Sequence, residues 1–377
     1  MTPGSPGASS SIGRGADKPP DVSPDVPAHV SVNTRATIPI PDTSWRPVDR
    51  PILNDLVPVP RVWDRMGAVE HRLLEVTESD NEFLTDIAQH LLRAGGKRYR
   101  PLLAQVAAEF GPSDGDGPVE AGVSVELVHV GSLYHDDVID EAESRRGEVS
   151  VNENWSNTIA ILAGDFLLAR ASEVAAPLGE EAVALVAQTY ARLCEGQVAE
   201  LRFAAGLDHG ADGYFRVIGG KTASLIRTSA RLGAMTSGAA PETVEAISEW
   251  AWEMGMVFQM TDDVLDLVAD EAFLGKPAGS DIGEGVYTLP VLYAADGPAG
   301  AEIRALLADG APTDRATIDR VIRLTADGGF VDRVIDEAVA HMARAEQASD
   351  RIPDSSLIPV LRNLDSYILG RVDAARG

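Results

Sequence analysis

The 377-residue sequence predicts an all-α protein, a single large helical bundle with a central cavity. Three observations predict it. From Val62 onward apolar residues recur at helical spacing: Ile87, Leu91 and Leu92, then Val123, Leu127, Val130, Leu133 and Tyr134, then Ile159, Leu162, Phe166 and Leu167. Runs of alternating β-branched residues bounded by tight turns, which would mark strands, are scarce. The punctuation falls between the periodic segments, at Gly95-Gly96, Gly111 to Gly115, Ala205-Gly206, Gly238 to Pro241 and Asp296-Gly297-Pro298. In such a bundle, sites form from side chains on facing helices. No fixed period repeats along the chain, which argues against a solenoid.

Residues 1–55 are rich in Pro, Gly, Ser and Asp without a sustained apolar period, and are expected to be a disordered tail ahead of a helical domain at 56–377. The start lacks the basic and apolar regions of a secretory signal. The strongest apolar run, Ile159 to Ala169, is broken by Asp165 and is too short to span a bilayer. One cysteine, Cys194, excludes an intrachain disulfide, fits a reducing cytoplasm and reads as a small buried residue. A net charge of -26 argues against nucleic acid and against anionic membrane surfaces, leaving at most peripheral contact with lipid.

Two acidic clusters share one design. Asp136-Asp137-Val138-Ile139-Asp140 and Asp262-Asp263-Val264-Leu265-Asp266 each end a core-like helical stretch. The first and last carboxylates of a cluster lie one turn apart, roughly 6 Å along the axis, on the same helix face. Charge at the end of an apolar helix is costly unless paired or metal-bound. Magnesium takes only one or two protein carboxylates per ion and fills its shell with water and phosphate oxygens, so two facing acidic helices read as a Mg²⁺-dependent diphosphate clamp. The plain alternative is a pair of solvated helix faces in a chain with 58 acidic residues.

Against this acid background, grouped cations are informative. Gly95-Gly96-Lys97-Arg98-Tyr99-Arg100-Pro101 closes one helix on glycine and opens the next with proline near its first turn, so Lys97, Arg98 and Arg100 stand beside exposed helix-start amides. That suits a phosphate, although a solvated basic turn would look the same. His129 lies two turns before Asp136 and could donate to a phosphate or be a satisfied core histidine. Arg145-Arg146-Gly147 can reach back over the first cluster from its loop. Lys221-Thr222 are expected to open a helix after Gly219-Gly220, and Lys276 follows the second cluster. Together they form a cationic rim suited to two diphosphates.

These motifs, over about residues 70 to 370, resemble the trans-polyprenyl diphosphate synthase family of the isoprenoid synthase fold. The carriers are Gly-Gly-Lys-Arg-Tyr-Arg-Pro, the first aspartate motif with Arg-Arg-Gly, Lys221-Thr222, and Phe258-Gln259 leading into the second aspartate motif. With Gly-Ser-Leu-Tyr-His before the first aspartates and Glu-Gly-Val in the later segment, the chain resembles actinobacterial long-chain members. The resemblance implies head-to-tail condensation of isopentenyl diphosphate onto an allylic diphosphate of farnesyl or geranylgeranyl type. It implies Mg²⁺ on Asp136, Asp137, Asp140, Asp262, Asp263 and Asp266, and isopentenyl diphosphate on Lys97, Arg100, His129 and Arg146, with Arg98 also counted among the substrate-binding residues. Arg145, Lys221, Thr222, Gln259 and Lys276 would face the allylic partner, with Lys221 counted among the catalytic residues. It further implies a homodimer.

The chain departs from the family where many relatives have Glu-Gly-Lys before Thr-Leu-Pro, since here Val286 replaces the lysine. Gly131 and Ser132, five and four residues before Asp136, are small where short-product members carry aromatics. This predicts a long product of about six to ten isoprene units, destined for quinone side chains, because the residues lie about one turn deeper along the helix. The alternatives are a shorter-chain geranylgeranyl diphosphate synthase, a class I terpene cyclase, or a non-catalytic synthase subunit.

Overall fold

The computed structural model describes Met1 and residues 50–269, 277–353 and 356–376. The expected tail is outside these residues up to position 49, but helix already begins at α1 (Arg50–Leu56), where Leu53 is buried. Residues 50–55 therefore belong to a helix and not to the expected tail, because a short turn of helix finds apolar neighbours. α2 (Pro60–Val76), α3 (Glu82–Arg93), α4 (Tyr99–Ala108) and α5 (Gly117–Ile139) follow. The α3–α4 and α4–α5 breaks coincide with the glycine punctuation at Gly95-Gly96 and Gly111 to Gly115. Pro60 and Pro118 stand in first turns, where a missing N–H costs nothing, and Asn81 caps α3 by accepting from the Leu84 N–H.

A two-stranded hairpin, β1 (Ser144–Arg145) with β2 (Glu148–Val149), is the one departure from helix among the described residues. Its two-residue loop, Arg146-Gly147, takes positive φ at both positions (57° and 80°), the turn that matches the right-handed twist of a hairpin. Then come α6 (Val151–Asn154), α7 (Asn157–Ala175), α8 (Glu180–Phe203), α9 (Gly210–Ile218), α10 (Ser224–Thr236) and α11 (Pro241–Val268). The chain continues through α12 (Ser280–Gly283), α13 (Leu289–Ala295), α14 (Gly300–Leu306), α15 (Arg315–Asp327), α16 (Phe330–Ser349) and α17 (Ile358–Arg376).

α10 organises the centre, packing on α4, α5, α8 and α11. Leu225 and Leu232 join the apolar cluster built on α5, with Leu127, Tyr134 and Leu167. Ile226, Ala230 and Ala234 join the cluster built on α11, with Trp250, Met254 and Val257. One buried helix thus separates and aligns the two helices that carry the acidic clusters. No helix of the described residues is long and apolar enough to cross a membrane.

The Gly219-Gly220 pair does not break the helix as expected. Residues Gly219–Ala223 form a π-turn that joins α9 to α10. The glycines are there for close approach: a Cβ on Gly220 would sit 2.9 Å from the Arg192 carbonyl, and one on Gly196 of α8 would sit 2.7 Å from the Lys221 amide nitrogen. An inserted residue of this kind changes the direction in which nearby side chains leave the helix, and such turns are frequent at functional sites.

Candidate active site

The first cluster ends α5. Asp136 is half-buried and Asp140 is exposed at the C-cap, its N–H bonded to the Asp136 carbonyl at 2.8 Å. Burial pushes the Asp136 carboxyl up to about 6, against the pull of the Lys221 ammonium and with a further push from Asp140. Asp137 faces inward with no exposed surface, and one of its oxygens accepts from Arg145 Nε and Nη2, both at 2.6 Å. Its other oxygen is buried without a hydrogen-bond partner. Asp137 therefore acts on Arg145, while Asp136 and Asp140 share the open face that helical spacing requires.

The second cluster lies in the last turns of α11. Asp263 is 4 % exposed, accepting from the Tyr214 hydroxyl at 2.5 Å and from Gln259 Nε2 at 2.9 Å; the Thr222 hydroxyl in turn donates to Gln259 at 2.7 Å. Burial lifts the Asp263 carboxyl to about 8; the hydrogen bonds from Tyr214 and Gln259 pull it down, and the charges of Asp281 and Asp262 push it up. Asp266 is buried and accepts from the Ser280 hydroxyl at 2.7 Å and the Asp281 N–H at 3.3 Å, so it fixes the start of α12. Asp262 accepts from Arg371 of α17 at 2.7 Å.

Two cavities meet at the π-turn. One, of about 250 Å³, is lined by Asp140 of the first cluster and Asp263 of the second, together with Glu200, Tyr214, Lys221, Thr222, Gln259 and Asp281. The other, of about 360 Å³, is lined by Arg100, His129 and Asp136 at one end and by Leu133, Leu193, Val198, Leu201 and Leu225 beyond. Lys221 and Thr222 belong to both walls, and Lys221 Nζ is paired with Glu200. Sequence reasoning missed Glu200, Tyr214 and Asp281. The Asp281 signal lay in the acidic Ser280 to Glu284 segment, whereas Glu200 and Tyr214 gave none.

On the basic side, Arg100 and Arg146 flank His129. Burial lowers Arg100 to about 10, and its Nε is buried without a partner. Burial and the guanidinium groups of Arg100, Arg146, Arg98 and Arg145 hold His129 neutral, well below its ordinary value. A neutral histidine among four arginines is a place that favours an anion. Arg146 also donates to the carbonyls of Leu91 and Gly95 (2.9 and 2.5 Å) and lies 3.6 Å from Glu126. Lys97 is exposed at the turn.

Arg98 departs from the expectation that it binds substrate. Its Nε and Nη2 donate to Glu70 (2.5 and 3.2 Å), Nη1 to Glu126 and Gly95 O (both 3.0 Å), and Nη2 to Leu92 O (2.7 Å). Those bonds use all five N–H donors of a guanidinium, leaving none for a phosphate. They also hold the residue in a left-handed conformation, φ 48° and ψ 35°. Arg98 is thus a structural clamp between α2, α4 and α5.

Two further expectations, for Gly131 and Cys194, change. Gly131 does not line the cavity: a Cβ there would meet the Gly164 carbonyl of α7 at 3.1 Å, so its small size serves the α5–α7 contact. Ser132 does line the cavity, with its hydroxyl bonded to the His129 carbonyl at 2.8 Å. Cys194 is exposed and on the cavity wall, because α8 presents that face to open space and not to the core. Lys276 lies outside the described residues.

Among the described residues no three His, Cys, Asp or Glu side chains converge into a cage that could hold a metal ion. The donors present are nonetheless those that magnesium uses: one or two carboxylates from each wall, of which burial raises Asp136 and Asp263, with room left for substrate oxygens.

Helices that bring acid from two distant segments to the mouth of an apolar cavity make a site suited to a metal-held anion that carries an apolar tail. Residues 81–325 match the polyprenyl synthetase family model. The nonaprenyl diphosphate synthase of Mycobacterium tuberculosis is 39% identical over 322 residues, covering 85% of this chain and 96% of that protein. Component 2 of the heptaprenyl diphosphate synthase of Geobacillus stearothermophilus is 38% identical over 307 residues, 81% of this chain and 95% of that protein. The crystal structure of geranylgeranyl pyrophosphate synthase from Corynebacterium glutamicum, complexed with calcium and isoprenyl diphosphate, matches with a TM-score of 0.73 at 41% identity, covering 83% of this chain and 96% of that one. The chain belongs to the polyprenyl synthetase family and is a prenyltransferase.

Proposed function

We propose that the protein is a trans-polyprenyl diphosphate synthase that adds isopentenyl diphosphate to an allylic diphosphate, giving an all-trans product of about six to ten units. The observation that carries this reading is the shared wall: Asp140 and Asp263, from clusters more than a hundred residues apart, line one cavity whose Lys221 and Thr222 also line the neighbouring apolar one. Asp136 and Asp140 on one side and Asp263 on the other are the carboxylates facing the allylic diphosphate. They would hold Mg²⁺, which when bound would supply stabilisation of the negative charge on the departing diphosphate.

Lys221, steered by the π-turn and paired with Glu200, neutralises the same leaving group. Thr222 and Gln259 orient Asp263 through their hydrogen bonds. Asp137 fixes Arg145 toward the allylic side. Lys97, Arg100, His129 and Arg146 hold isopentenyl diphosphate, with Arg100 Nε the donor awaiting an acceptor. The apolar walls exclude water from the allylic cation, whose capture by the isopentenyl double bond is followed by proton loss, with the departing diphosphate as base.

The long product is supported by small Ser132 on the cavity wall and by relatives named for seven and nine units. A geranylgeranyl product is the second reading, favoured by the Corynebacterium likeness. The working unit is a homodimer in which a second copy covers the exposed Ile161 and Leu162 of α7 and Val198 and Leu201 of α8. The enzyme acts in the cytoplasm and passes its product to a membrane for quinone side chains.

Steady-state kinetics of two variants test the assignment. Asp136→Asn lowers kcat by orders of magnitude with the helix content intact, and Lys97→Ala chiefly raises KM for isopentenyl diphosphate. Release of cyclic hydrocarbon without isopentenyl incorporation would instead identify a class I cyclase. Inactivity of the wild type restored by a second chain would identify a synthase subunit.

A further inference from the structure

Asp262 opens the second acidic cluster, yet its carboxylate does not line the cavity shared by Asp140 and Asp263. It is held instead by a cation that the protein itself supplies. Arg371 Nη2 lies 2.7 Å from Asp262 Oδ1, and the same guanidinium stands 5.6 Å over the ring of Phe258, one turn earlier on α11. Phe258 is stacked in turn on Tyr99 of the basic turn, with centroids 5.6 Å apart. α17 is anchored for this contact by Asp365, a buried carboxylate that accepts the Trp250 indole N–H at 3.0 Å. The pair itself is partly open, with side chains 21% and 36% exposed.

The geometry points to Arg371 as a positioning residue: it occupies Asp262 as a built-in counter-cation, so that a divalent cation gains Asp262 only when it arrives with a diphosphate. This rests on the reading of Asp262 as a metal ligand. A metal ion alone must break the ion pair and leave the guanidinium without an acceptor. A metal diphosphate offers that guanidinium phosphate oxygens, which it binds with two parallel donors. Asp266 cannot take its place, because it is engaged by the Ser280 hydroxyl and the Asp281 N–H, and Asp263 is turned to the cavity it shares with Asp140. Arginine stays charged at all working pH values, so the device responds to ligand and not to protons.

The test is Mn²⁺ binding to the full chain, read from the EPR signal of free Mn²⁺ with and without inorganic pyrophosphate. Arg371→Gln tightens binding of Mn²⁺ alone by roughly two- to five-fold, the range expected for releasing a partly exposed pair. The gain on adding pyrophosphate narrows accordingly, while Arg371→Lys behaves as wild type. Arg362→Gln is the control for lost charge, since Arg362 lies on the same helix and pairs with Asp350 at 2.6 Å. An Arg371→Gln protein that binds Mn²⁺ like wild type, or an Arg362→Gln protein that shifts as much, overturns the inference. Should Asp262→Asn leave Mn²⁺–pyrophosphate binding unchanged, the ligand role of Asp262 fails instead, and the inference with it.

Discussion

Replacing Arg98 separates a structural cation from a substrate cation inside one basic motif. Its side chain is 1% exposed, and Glu126, its partner at 3.0 Å, is 2% exposed. In Arg98→Ala, Glu70 is 19% exposed and can take up water, and the Gly95 carbonyl keeps its bond from Arg146. Among the described residues Glu126 then keeps one ion pair, with Arg146 at 3.6 Å. Removing one partner of a buried pair costs about 3–5 kcal/mol, most of it the penalty of the charge left behind. For a chain of this size that lowers Tm by roughly 6–10 °C, taking about 2 °C per kcal/mol. Arg98→Lys, which keeps the charge but loses the fork, falls between the two. The assay is thermal unfolding by circular dichroism beside steady-state kinetics at a temperature where each variant is folded. An Arg98→Ala protein with unchanged Tm and a raised KM for isopentenyl diphosphate would refute the clamp and restore Arg98 to the substrate.

Three other outcomes follow from the same geometry. With metal removed, Asp263 (about 8 when folded) keeps its proton while the unfolded chain, near 3.8, has lost it, so stability falls as pH rises from about 4 to about 8. Asp136, at about 6, adds to the loss with the same sign, and Asp263→Asn flattens the slope of Tm against pH. Ser132→Phe shortens the product because the residue lines the apolar cavity, as chain-length analysis of dephosphorylated product would show. Gly131→Ala instead costs about 1–3 kcal/mol of stability by overpacking against the Gly164 carbonyl, read as a lowered Tm, with product length unchanged.

The fold was legible because helical spacing and glycine-proline punctuation act locally, and every expected break but one falls between helices. The exception, Gly219-Gly220, obeyed a tertiary demand: α8 approaches so closely that only glycine fits, and the helix absorbs the pair as a π-turn. The acidic clusters and the basic turn were legible as motifs, but the direction of each side chain was not. Asp137, Asp266 and Arg98 have the composition of ligands and are spent on internal partners, which only packing decides. Glu126, Glu200 and Arg371 carry no local signal, since each matters through a partner that is remote in sequence.

The most direct measurement supplies the purified protein and Mg²⁺ with labelled isopentenyl diphosphate and, in turn, geranyl, farnesyl and geranylgeranyl diphosphates, followed by dephosphorylation and chain-length separation. The account predicts a ladder from each accepted primer that ends at about six to ten isoprene units. A ladder that stops at geranylgeranyl product, or no incorporation with any primer, would contradict it.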